Sequence, residues 1–258
     1  MSPARHDAAE PGADAMVCCS CAECGSRGQA LWRVLLAEGA GAALLVLLSC
    51  LPAGEPLSRA LAAGGVVALL VQCLDHVSGA HMNPAVTLAA LLWGRVSRGR
   101  ALAMAGAQLL GAAAGAGALR LLRAGADLGV TLPAPGLAPY KKPGVVQAAA
   151  LEGVLGGCVA LANCAAWDPR TARRSDSWPL RIGGSVAALS LVAGEYTGAS
   201  MNPARSFGPA LWSANWTSHW VYWVGPLGGS LLFTTLYLVA WRPRRCDVTP
   251  AGKPRAQP

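Results

Sequence analysis

A heptapeptide recurs in this chain with six of its seven residues unchanged: Gly79-Ala80-His81-Met82-Asn83-Pro84-Ala85 returns 119 residues later as Gly198-Ala199-Ser200-Met201-Asn202-Pro203-Ala204. At the same offset Leu92-Trp93 meets Leu211-Trp212, and eight of the sixteen positions from 79 to 94 are identical. The chain is therefore a duplication. Each copy opens an apolar piece of ten residues, 84–93 and 203–212. At 1.5 Å per residue each covers about 15 Å, half of a bilayer's hydrocarbon core, so neither can span. Short apolar pieces in matching positions of two halves predict re-entrant half-helices that line a pathway.

The rest of the sequence supplies the membrane. Residues 39–54, 60–74, 101–119, 153–167, 182–194 and 206–241 carry no charge. Charged residues make up 13% of the whole, and 53% are hydrophobic. A soluble domain usually carries about 25% charged residues, so an ordinary soluble enzyme is excluded. A disordered chain, which lacks apolar residues, is excluded as well. The predicted spans are 31–51, 59–77, 99–121, 145–166, 179–195 and 219–241. Three spans per half is an odd number, so the halves sit inverted in the bilayer.

This gives a cytoplasmic tail (1–30) and a first repeat (31–122) holding half-helix 84–93. A connecting loop on the outer side (123–144) leads to a second repeat (145–242) holding half-helix 203–212, and a cytoplasmic tail (243–258) follows. With both termini inside, fifteen of the 21 Lys and Arg residues face the cytoplasm, five face out, and Arg205 lies in a half-helix. That bias predicts a multi-pass protein of the cell membrane with both termini cytoplasmic. It accounts for the net charge of +8 without nucleic acid, through basic pieces facing anionic lipid.

The nine cysteines form no metal framework. Cys18, Cys19, Cys21 and Cys24 lack a second knuckle and a nearby His. They read as a free-thiol tail or as palmitoylation sites beside a membrane helix. No metal and no cofactor are expected. Gly111-x-x-x-Gly115 and Gly225-x-x-x-Gly229 read either as helix-packing seams or as the chain's general richness in small residues.

Asn-Pro-Ala is a helix start, because Asn is a favoured N-cap and Pro a favoured first residue. Two such starts on inverted half-helices meet tip to tip. Each N-terminus carries roughly half a positive charge, which repels cations and protons while the Asn amides still donate to a neutral solute. The pore residues read this way are Asn83, Pro84, Ala85, Asn202, Pro203 and Ala204. Glu38 and Glu152 are acids inside the first span of each half. Each needs partners, since an intramembrane charge costs about 2.5–3.5 kcal/mol or more; the alternative is a snorkelling or protonated acid near a helix end.

These boxes, with Ser78–Thr87, Gly198–Pro209 and His219–Pro226, resemble the aquaporin (major intrinsic protein) family over about residues 31–242. The resemblance implies an all-α hourglass of six transmembrane helices and two half-helices, a pore in each subunit, a homotetramer and no enzyme activity. It implies that Glu38 and Glu152 bind backbone groups of the half-helix loops. It also implies an outer selectivity filter of Ala63, Ser190, Ala199 and Arg205, Arg205 being its cation; a structural salt bridge is the other reading of Arg205. Water channels of the family carry an aromatic at the place of Ala63 and a His at that of Ser190. Both are absent here, which widens the filter. Ser206, Ala210, Tyr222 and Trp223 nevertheless resemble the water-channel branch. The combination resembles the entomoglyceroporins, which implies passage of water, glycerol and urea. The alternatives are a strictly water-selective channel, or a junction or adhesion protein on the same fold with little flux. With Ala199 where many water channels carry a mercury-sensitive Cys, mercurials are expected to inhibit weakly, with Cys73 as the residual target.

Overall fold

The structure is a computed structural model that describes residues 29–51, 55–123 and 144–243. They form α1 (Leu31–Ser49), α2 (Pro56–Ser78), α3 (Pro84–Trp93), α4 (Arg98–Arg123), α5 (Val145–Trp167), a 3₁₀ segment (Pro169–Ser177), α6 (Trp178–Thr197), α7 (Pro203–Ser213) and α8 (Val221–Ala240). No strand occurs among the described residues. The N-terminal cysteines, nearly all of the connecting loop and the C-terminal tail from residue 244 lie outside them.

Local signals set the element ends. A proline stands in the first turn of α2, α3, α6 and α7, where its fixed φ suits a helix start and its missing N–H costs nothing. Gly79 (φ 90°) and Gly198 (φ 82°) stop α2 and α6 at matching places, in a conformation that glycine adopts without strain. α1, α2, α4, α5 and α8 are long and apolar enough to cross a bilayer. α6 has 20 residues, but Arg181 and Glu195 near its ends lower its mean hydropathy, so its place as a span rests on its pairing with α2.

That pairing is part of a twofold pattern. α1 packs on α4 as α5 packs on α8, and α2 packs on α6 across the middle. The glycine seams are where these helices touch. A Cβ at Gly111 or Gly115 would strike the backbone of Gly39 or Ala43 on α1, and one at Gly225 or Gly229 that of Ala149 or Gly153 on α5. Gly64 and Gly183 each lie against the other's carbonyl. The half-helices are exchanged: α7 packs on α4 and α3 on α8. Gly208 of α7 abuts the Ala112 backbone, and Ser230 of α8 donates to the Ala85 carbonyl at 2.6 Å.

Several strongly polar groups lie inside and many large apolar ones outside. Glu38, Gln108, Glu152, Asn83 and Asn202 are buried, while Leu102, Leu110 and Leu121 of α4 are more than two-thirds exposed. In water this would be costly; in lipid it is the stable arrangement. Beyond the end of α5, Arg170 grips Asp168 through Nε and Nη2 at 2.9 and 2.7 Å. It also donates to the Trp241 carbonyl at 2.5 Å, and the Tyr237 hydroxyl donates to Asp168 at 3.0 Å. Burial acts to raise the Asp168 carboxyl, but the bonds from Arg170 and Tyr237 outweigh it and hold it below the usual carboxylate range.

Candidate functional site

The two Asn-Pro-Ala boxes cap their half-helices and tie the two loops together. Asn83 and Asn202 have extended backbones, φ −155° and −149°. The Asn83 Oδ1 accepts from the Ala85 N–H at 2.8 Å. The Asn202 Oδ1 accepts from Ala204 at 2.9 Å and Arg205 at 3.3 Å. The amide nitrogens reach across: Asn83 Nδ2 donates to the Met201 carbonyl at 2.9 Å, and Asn202 Nδ2 to the Met82 carbonyl at 2.8 Å. One hydrogen of each amide is thereby committed, which leaves the other for a solute.

The loops before the boxes hold an unfavourable backbone. Ala80, Met82, Ala199 and Met201 all have positive φ, 45°, 49°, 45° and 57°. Such residues cost about 1–3 kcal/mol each and persist only when their surroundings enforce them. Here the enforcing group is a carboxylate. Glu38 accepts from the Ser78 hydroxyl at 2.6 Å, the His81 N–H at 2.9 Å, the Met82 N–H at 2.6 Å and Gln108 Nε2 at 2.8 Å. Glu152 accepts from the Thr197 hydroxyl at 2.6 Å, the Ser200 N–H at 2.9 Å and the Met201 N–H at 2.8 Å. Both acids are wholly buried, far from the snorkelling alternative.

One cavity runs past these loops. Ala63, Ser190, Ala199 and Arg205 line it together with Asn83 and Asn202, and so do Ser49, Val86, Asn163, Trp178, Met82 and Met201. Gly79, Ala80 and Ala199 also line it, and the backbone is all these residues can offer a polar solute. Much of the remaining wall is apolar, from Val67, Val71, Val159, Ile182 and Val186. Pro84, Pro203, Ala85 and Ala204 are buried behind it at the half-helix starts. Arg205 makes no ion pair among the described residues. Its Nε lies 3.5 Å from the Ser49 hydroxyl, and its Nη1 is buried without a hydrogen-bond partner.

Cys73 departs from the sequence reading. It is exposed, and the α2 residues on the cavity are Ala63, Val67 and Val71, which lie about one helical turn apart. Cys73 falls off that stripe and does not line the cavity. Ser49, Gln108 and Asn163 escaped the sequence reading. None belongs to a motif, and only the twofold relation of Gln108 to Tyr222, 114 residues apart like Glu38 and Glu152, hints at a role.

The family model described as Major intrinsic protein matches residues 26–237. The chain is 45% identical over 225 residues to the lens fiber major intrinsic protein of Gallus gallus, covering 84% of this chain and 85% of that one. It is 43% identical over 188 residues to the probable aquaporin TIP4-2 of Oryza sativa subsp. japonica, covering 72% and 70%. Among solved structures, the aquaglyceroporin from Plasmodium falciparum matches with a TM-score of 0.74 at 22% identity, over 82% of this chain and 97% of that one, a likeness of fold.

Proposed function

The chain belongs to the major intrinsic protein family, and on that premise we propose that this membrane channel passes water and small uncharged solutes, glycerol and urea included, while excluding protons and ions. Channels of this family are not enzymes. The observation that carries the solute range is that Ala63, Ser190 and Ala199 line the same cavity as Arg205, with neither an aromatic ring nor an imidazole among those three. Two methyls and a hydroxymethyl leave room that a phenyl and an imidazole would fill, the pattern that resembles the entomoglyceroporins. The facing N-termini of α3 and α7, together with Arg205, supply the positive potential against cations.

The test is the ratio of glycerol to water permeability in vesicles at matched protein density, with urea alongside. Ala63→Phe combined with Ser190→His should suppress glycerol and urea flux at least fivefold while water flux changes little. Passage of water alone by the native protein, or equal glycerol flux in the double variant, overturns this reading. The second reading, a strictly water-selective channel, is favoured by Ser206 and Ala210, which are buried at places where glycerol facilitators of the family differ.

The same proposal includes the homotetramer that the family resemblance implies, and both termini in the cytoplasm, supported by the bias of Lys and Arg toward one side. Protease added to sealed right-side-out vesicles should leave terminal tags intact; loss of either tag reverses the orientation.

A further inference from the structure

We propose that Ser49 is a fifth solute-contacting group of the pore mouth. In this assignment its hydroxyl works beside Arg205 to replace hydrogen bonds that a polyol or an amide sheds on entry. The assignment rests on the channel reading above and names a specificity-determining residue for it.

Ser49 is the last residue of α1. It is 6% exposed and lines the same cavity as Ala63, Ser190, Ala199 and Arg205. Buried hydroxyls ordinarily spend their hydrogen-bonding capacity inside the protein. This one does so only weakly. Among the described residues its Oγ has two polar neighbours, Arg205 Nε at 3.5 Å and Cys50 Sγ at 3.9 Å. A settled N–H···O bond measures 2.7–3.2 Å, so the first contact is long, and a thiol is a weak partner. The Ser49 hydroxyl therefore keeps a proton to give and a lone pair to take one.

Arg205 beside it is in the same condition, with Nη1 buried and unpartnered. The guanidinium only donates, whereas a hydroxyl both donates and accepts. Together they offer a mixed pair of sites on one cavity wall. Ala63 and Ala199 offer no side-chain hydrogen bond. Water presents a single oxygen, which Arg205 alone can serve. Glycerol and urea present several polar atoms spread over a longer body; the Ser190 hydroxyl and the backbone of the wall serve some of them, and the contact beside Arg205 is the one they lose without Ser49. The residue thus bears on the larger solutes and hardly on water.

The experiment compares native protein, Ser49→Ala and Ser49→Thr in vesicles, reading water, glycerol and urea permeability and proton leak. Ser49→Ala should lower the glycerol-to-water and urea-to-water ratios about fivefold, the effect of one unreplaced hydrogen bond felt in the barrier. Water flux should stay within twofold, which also reports a folded channel. Ser49→Thr keeps the hydroxyl in less space and should retain more glycerol flux than Ser49→Ala. Proton leak should not move, because Arg205 and the half-helix ends remain. Unchanged ratios in Ser49→Ala overturn the assignment, as does lower glycerol flux in Ser49→Thr than in Ser49→Ala, which would make width alone decisive. Joint loss of water and glycerol flux with a rise in proton leak would reduce Ser49 to a prop for Arg205 and also overturn it. A native protein that passes neither glycerol nor urea removes the wide-filter reading and this assignment together. Native flux that survives in Ser49→Ala removes this assignment alone.

Discussion

The loop on Glu38 and the loop on Glu152 share one backbone and differ in most of the polar side chains around it. Where Gln108 of α4 donates to Glu38 and to the Thr87 hydroxyl at 2.8 and 2.9 Å, its counterpart Tyr222 of α8 donates to the Thr197 carbonyl at 2.8 Å. His81 and Thr87 pair at 3.2 Å on the first loop; Ser200 and Ser206 pair on the second. Apolar volume is exchanged too. Gly41 of α1 leaves space that the Met82 thioether and the Leu74 methyl occupy. In the second half Leu155 and Ala193 stand at those two positions, so the larger side chain has moved from one helix to the other. The backbone conformation demands a carboxylate with two N–H groups on it, and that part is repeated. The surroundings are free to diverge, and the divergence places a cation at only one end: Arg205 lines the cavity where the equivalent position of the first half-helix holds Val86.

The largest effect should come from the shared part. Glu38→Ala leaves four buried donors without their acceptor, and Glu152→Ala leaves three. At about 1–3 kcal/mol per orphaned group, either loss rivals the roughly 5–15 kcal/mol by which a protein is stable. Neither variant should be recovered as monodisperse protein in detergent. Recovery of one but not the other would mean that the two acids are not equivalent supports.

Next comes the asymmetric cation. Arg205→Val gives the second half-helix what the first has at Val86. Proton leak, followed with an entrapped pH dye, should rise about tenfold, corresponding to ~1.4 kcal/mol of lost repulsion. No rise would assign the whole cation barrier to the half-helix ends.

The diverged surroundings should give smaller effects. Gln108→Leu removes a bond to a carboxylate and one to a hydroxyl, about 2 kcal/mol, and Tyr222→Phe one neutral bond, about 1 kcal/mol. Thermal unfolding in detergent should therefore fall further for Gln108→Leu; the reverse order would contradict the comparison.

The smallest effect concerns the joint between α5 and α6. The native Asp168 carboxyl titrates below its ordinary value of 3.8. The stability it contributes is complete above that value and is lost as pH falls through the lower native one. Asp168→Asn should lower the unfolding temperature at neutral pH, and its gap from the native protein should close as the pH drops below 3.8.

Much of this arrangement was legible in the residues themselves. Proline starts, glycine stops and the absence of charge are local, and they place the eight α-helices of the described residues to within a few residues but not the 3₁₀ segment Pro169–Ser177. α3 spans Pro84–Trp93, the bounds of the apolar ten-residue piece, while α2 begins at Pro56, three residues before the predicted span, because proline opens it. The heptapeptide repeat gave the half-helices, and the lone acids Glu38 and Glu152 were conspicuous because apolar spans tolerate so few. What the sequence could not give depends on how helices rotate and cross. The exchange of half-helices between halves, the choice of Gln108 as a fourth donor to Glu38, the exposure of Cys73 and the approach of Ser49 to Arg205 all join residues on different helices. Ser49 and Arg205 lie 156 positions apart, and no local propensity couples them. The glycine seams fix how closely α1 meets α4, α7 packs on α4 in turn, and together these contacts bring the end of α1 near the guanidinium.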